Sequence, residues 1–91
     1  MAAYIDSIWG GNASITVSGR GTPSYRIYLH QAGTGQRLGT GVVGADGSYS
    51  FTTQEATVQR CRGQTISVQV RETADNINHS DWSLDTDVYI S

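Results

Sequence analysis

The groups in this 91-residue chain that could carry acid–base, nucleophilic or metal chemistry are two histidines, one cysteine and a late run of aspartates. Nothing in their spacing joins them. His30 falls on the outward-facing side of a period-two run and His79 in a polar stretch, so both read as surface histidines. Cys61 stands between Arg60 and Arg62. Those neighbours would favour a thiolate but supply no base, and a nucleophile needs one. Asp75, Asp81, Asp85 and Asp87, with Asn78, offer the clustered oxygens that hard cations prefer, yet in no spacing of a calcium loop. No catalytic residue, metal ligand or cofactor is therefore expected, and the chain reads as a non-enzyme. The Gly pairs follow no phosphate-loop pattern, and all six basic residues are arginine, so the lysine of that motif is missing too.

The aromatic residues offer recognition instead. Exposed rings stack on sugars or anchor protein interfaces. Tyr28 shares its face with Arg26 and His30, and this outward trio, with Trp9 or Trp82 as a second contact, is the candidate binding surface. The alternative is that the tryptophans plug the ends of the fold. A carbohydrate-binding module, with cell-surface glycans as its ligands, would need these rings coplanar.

The elements that must position these side chains are short strands of period two, punctuated by Gly-rich turns. In Tyr25–Gln31, Tyr25, Ile27 and Leu29 share one face; in Thr65–Glu72, Ile66, Val68 and Val70 point in, and Ser67, Gln69 and Arg71 point out. Ala13–Ser18 alternates about Ile15 and Val17, and Ser48–Thr52 about Tyr49 and Phe51. Leu38–Val43 is thinned by Gly39 and Gly41, as suits an edge strand or a bulge. Asp46-Gly47 then signals a hairpin into Ser48–Thr52. Tyr4–Ile8 reads as an irregular edge strand, followed by a turn at Gly10-Gly11-Asn12. Gly19–Ser24 reads as a loop around Pro23, and Ser83–Ile90 carries the last strand with Val88 and Ile90 inward. Gln54–Gly63 is a polar crossover with room for a turn of helix.

About seven strands in one sheet would leave an apolar face in water, so two sheets must close on each other. The expected fold is all-β, an antiparallel two-sheet sandwich forming one domain over 1–91. Its core is Ile15, Val17, Ile27, Leu29, Val42, Tyr49, Phe51, Ile66, Val68, Val70, Val88 and Ile90.

A net charge of −2 gives no electrostatic reason to bind nucleic acid or an anionic membrane. No apolar run approaches the ~18 residues of a membrane span, so no membrane insertion is expected. The start, MAAYIDSIWGG, lacks the basic and apolar regions of a signal peptide. With one cysteine, no intrachain disulfide can form.

Three segments carry a resemblance. They are Gly21-Thr22-Pro23, then Leu38-Gly39-Thr40-Gly41, then Ala45-Asp46-Gly47-Ser48-Tyr49-Ser50-Phe51. Together with Val68–Glu72 and the loop Thr73–Ser80, they resemble the bacterial immunoglobulin-like domains found in tandem in surface adhesins. The likeness covers roughly residues 13–90. It departs at Arg60-Cys61-Arg62, where the family is usually apolar or Pro-rich, and at Ile77, where the family usually has Gly. These motifs are turn chemistry and say nothing about a ligand. The resemblance implies an Ig-like β-sandwich with roles in spacing, adhesion or display and no catalysis. Such domains also occur on the capsid, tail and fibre of tailed bacteriophages. The chain is accordingly expected to be a structural or interaction protein displayed on a phage virion, assembled in the host cytoplasm. Its partners would be capsid or tail proteins. The alternative is one repeat of an extracellular adhesin, packed against neighbouring Ig-like repeats at the cell surface.

Overall fold

The computed structural model describes residues 3–91; Met1 and Ala2, which begin the expected domain, lie outside the described residues. Strand β1 (Tyr4–Gly11) pairs with β2 (Ser14–Arg20), and β2 pairs with β5 (Ser48–Thr53), forming a three-stranded antiparallel sheet. The second sheet, of four strands, has the order β4 (Arg37–Val42), β3 (Arg26–Gln31), β6 (Gln64–Thr73), β7 (Thr86–Ile90). One short helix, α1 (Ala56–Gln59), lies in the crossover from β5 to β6. The seven strands thus make the expected two-sheet antiparallel β-sandwich.

The core lies between the sheets because each strand buries alternate residues. Ile15 and Val17 from β2 meet Ile27 and Leu29 from β3, Val68 and Val70 from β6, and Ile90 from β7, all fully buried. The crossover adds Val58 and Cys61, and Cys61 is a free thiol whose Sγ–H donates to the Thr57 carbonyl at 3.3 Å.

Strand β4 corrects the expected core. Val42 is 57% exposed, whereas Leu38 and Val43 are buried. The pairing explains this: Leu29 faces Gly39 but His30 faces Arg37, so Leu38 is an extra residue bulged out of the ladder. A bulge shifts the register by one, which exchanges the two faces of the strand. Gly39, Gly41 and Val43 then point inward and Val42 outward. Gly41 is required there, since a Cβ would lie 2.4 Å from the Phe51 ring of β5. A similar bulge at Asp6 lets both Ile5 and Ile8 of β1 pack against the core, although they are not spaced by two.

The turn at Asp46-Gly47 forms, with the Ser48 N–H and Oγ–H donating to Asp46 Oδ1 at 3.1 and 2.8 Å. It does not close a hairpin. Strands β4 and β5 belong to different sheets, and the turn carries the chain from one to the other. Three boundaries also move by two residues or more. Gly10 and Gly11 extend β1, Gly19 and Arg20 extend β2, and the last strand starts at Thr86 rather than Ser83. Gly10 sits where β1 meets β7 across the sandwich; a Cβ there would fall 1.6 Å from the Tyr89 carbonyl oxygen. Around it the Ser91 N–H donates to the Gly11 carbonyl and the Ala13 N–H to the Ser91 carbonyl, tying the two sheets together at this edge.

Among the described residues, one charged side chain is buried. Glu72 continues the inward face of β6, and its carboxylate accepts from the Thr22 N–H at 2.7 Å and the Thr22 hydroxyl at 2.6 Å. It thereby anchors the loop that carries the chain from β2 to β3, and satisfies groups that burial would otherwise leave unpaired.

Candidate functional site

The outer face of the four-stranded sheet presents Arg26, Tyr28 and His30 from β3. Beside them lie Arg71 from β6, opposite Tyr28, and Arg37 from β4, opposite His30. The segment between β6 and β7 supplies the rest. It is held against the edge of β6 by two serines: Ser80 N–H donates to the Glu72 carbonyl and Ser83 N–H to the Val70 carbonyl, while their hydroxyls accept from the Glu72 and Val70 N–H groups, each at 3.0 Å. These serines take the ladder positions that β7 has vacated. Asp75 shapes the start of this loop, its Oδ1 accepting from the N–H groups of Ile77 at 2.9 Å and Asn78 at 2.8 Å. Those bonds from Asn78 and Ile77 hold the Asp75 carboxyl well down, at about 2.

Folded this way, the loop lays Trp82 and His79 over the sheet. The Arg71 guanidinium carbon lies 4.3 Å from the Trp82 ring centroid, a cation–π contact. Trp82 and His30 have centroids 4.9 Å apart, Tyr28 and His79 5.9 Å, and Tyr28 meets His30 edge-on at 6.2 Å. The Tyr28 hydroxyl donates to Asn76 Oδ1, which ties the sheet to the loop. Beside the cluster is an open hollow of about 500 Å³ lined by Tyr28, His30, Arg37, Glu55, Arg71 and His79, among others.

The electrostatics of the hollow are positive. Arg37 is matched by Glu55 at 3.6 Å, whereas Arg71 has no carboxylate within ion-pair distance among the described residues. Burial pushes the His30 pKa below its ordinary value, and the nearby Arg71 adds to this. The Gly35 carbonyl, which accepts from Nδ1–H at 3.0 Å, opposes the shift without reversing it. His30 is therefore neutral near pH 7. Cys61 lies in the core beneath α1, apart from these side chains, so the surface brings together no nucleophile and base. Among the described residues, what the hollow offers is stacking, hydrogen bonding and an arginine, Arg71, without an ion-pair partner.

Of the surface expected from sequence, Tyr28, His30 and Trp82 come together. Arg26 shares the face but lies further along the strand, opposite Val42 and Thr73, and does not line the hollow. Trp9 is 55% exposed on β1, in the other sheet, and belongs to a different surface. Sequence reasoning missed Arg71 and His79 as members. The period-two pattern of β6 already turned Arg71 outward, and only the pairing of β3 with β6 was needed to set it beside Tyr28. His79 sits in an irregular loop and carried no such signal.

A family model described as a bacterial Ig domain matches residues 11–83, most of the chain. No curated protein matches the chain.

Proposed function

The chain belongs to the bacterial Ig domain family, whose members are generally non-enzymatic structural or interaction modules, and from that premise we propose that it docks as a rigid sandwich onto a larger protein assembly. We place that assembly on the surface of a phage virion, with capsid or tail proteins as partners. The observation that carries the docking reading is the cluster of Tyr28, His30, Arg71 and Trp82 on one sheet face. Aromatic residues and arginine are the types enriched at interface cores and lysine is depleted there, and this chain has none. The virion placement rests on the likeness to Ig-like domains carried by tailed phages. The second reading, one repeat of an extracellular adhesin, rests on the likeness to the Ig-like domains found in tandem in surface adhesins.

Two tests separate these. Tyr28→Ala should leave the domain folded yet weaken attachment to its host assembly by more than ~1 kcal/mol, read by virion occupancy or pull-down. Full occupancy with Tyr28, Trp82 and Trp9 each replaced would remove the docking surface. Capsid or tail genes beside this one support the virion placement, and a long reading frame of tandem repeats overturns it in favour of the adhesin.

A further inference from the structure

We propose that the hollow beside Trp82 is a carboxylate-binding site, with Arg71 as its anchor and an aspartate or glutamate side chain of the partner protein as its occupant. This deepens the docking reading and rests on it for the nature of the partner. The first support is the state of Arg71. Its guanidinium is positioned by the Trp82 ring at 4.3 Å rather than by an anion, and none of its nitrogens makes a hydrogen bond to a described residue. The Nε atom is screened from water and has no partner. A buried donor left unpaired is costly, and it shows that no group of the fold holds this guanidinium. Stacking on an aromatic face leaves the planar edge of a guanidinium free, and that edge matches the two oxygens of a carboxylate.

The second support is the charge count around the hollow. Arg37 is already matched by Glu55. His30 is disfavoured from protonation by burial and by Arg71 itself. Among the described residues that line the hollow, Arg71 is thus the arginine left without an ion pair, which suits a monoanion. A phosphate would bring a second charge towards Glu55 with nothing to balance it, and the chain has no lysine to add. The geometry also disfavours a neutral sugar. Such a ligand needs a bare aromatic face, and Trp82 is covered by Arg71 on one contact and tilted at 53° against His30 on the other. Tyr28 and His79 then form the aromatic wall against which the methylene groups of an acidic side chain can pack.

The experiment is a titration of the isotope-labelled whole chain with hexaglutamate, hexaglutamine and trigalacturonate. It follows the Arg71 Nε–H and Trp82 indole N–H resonances. Hexaglutamate should shift both saturably, and hexaglutamine should shift neither. Arg71→Gln should raise the dissociation constant about tenfold or more, the loss expected of a charged hydrogen-bond partner. Arg26→Gln, which removes an arginine from the same face outside the hollow, should leave binding unchanged. Equal shifts from hexaglutamine, no saturation by hexaglutamate, or tighter binding of trigalacturonate would each overturn the proposal, the last in favour of an acidic sugar. The wild-type titration decides even if Arg71→Gln fails to fold. It also needs no host assembly, so a flat titration counts against the carboxylate site alone. Normal attachment with the hollow substituted counts against docking alone.

Discussion

The bulge in β4 can be tested through two residues that an unbroken strand would set on one face and the bulge sets on opposite faces. Leu38 is fully buried and Val42 is 57% exposed, the reverse of what unbroken alternation through Val42 would give for the latter. Leu38→Ala removes the equivalent of three methylene groups from the core, about 2.4 kcal/mol of burial at roughly 0.8 kcal/mol each. The cavity left behind adds to that, so the expected cost is about 3–4 kcal/mol, within the range for buried leucines. Val42→Ala removes methyl groups already in water and should stay within about 0.5 kcal/mol of wild type. In a domain of this size 1 kcal/mol corresponds to roughly 4–8 °C. Leu38→Ala should therefore melt more than about 12 °C lower, with Val42→Ala almost unmoved. Urea unfolding followed by tryptophan fluorescence measures both, and Leu38→Val serves as a milder variant if the alanine does not fold. Similar costs at the two positions, both above about 1 kcal/mol or both below it, would mean that the strand keeps one register and the bulge is not there.

Glu72→Ala strands the Thr22 N–H beneath the loop and should cost about 2–4 kcal/mol. Glu72→Gln should cost under about 1.5 kcal/mol, because its amide oxygen can accept from the same N–H and its amide can donate to the Thr22 hydroxyl; equal losses in urea melts would refute the pairing. His30 is held below the ordinary histidine value of 6.5 in the fold, so the unfolded chain takes up that proton first as pH falls. Stability should therefore drop as pH goes down through about 6.5, and His30→Gln should flatten the melting temperature across that window. Asp75 has the opposite chemistry and the same slope. Its carboxylate is favoured in the fold, so its contribution is present above the ordinary aspartate value of 3.8 and is lost as pH falls towards about 2. Asp75→Asn should remove that part of the acid dependence in melts between these two values.

The strands themselves were legible in the sequence because their signal is local. Burying one face of a strand demands period two, and Tyr25–Gln31 and Thr65–Glu72 show it without help from any other part of the chain. Turn chemistry was equally local, and it located the turn at Asp46-Gly47, where Gly47 adopts the positive φ that favours this residue. The outward side of β3, with Tyr28 and His30, followed from the same parity. Which strands become neighbours is not a local property. Asp46-Gly47 marks a reversal equally well whether the next strand pairs with the last or crosses to the opposite sheet. Here Gly39 and Gly41 let β4 lie against the inward side chains of β5 across the sandwich instead of beside it. The bulge at Leu38 likewise leaves the composition of β4 unchanged and appears only when its register against β3 is known. The hollow depends on this same level of structure. Arg71 and Tyr28 are far apart in the chain and become opposite neighbours through the β3–β6 ladder. Trp82 and His79 reach them only because Ser80 and Ser83 bond to the edge of β6 that β7 leaves free.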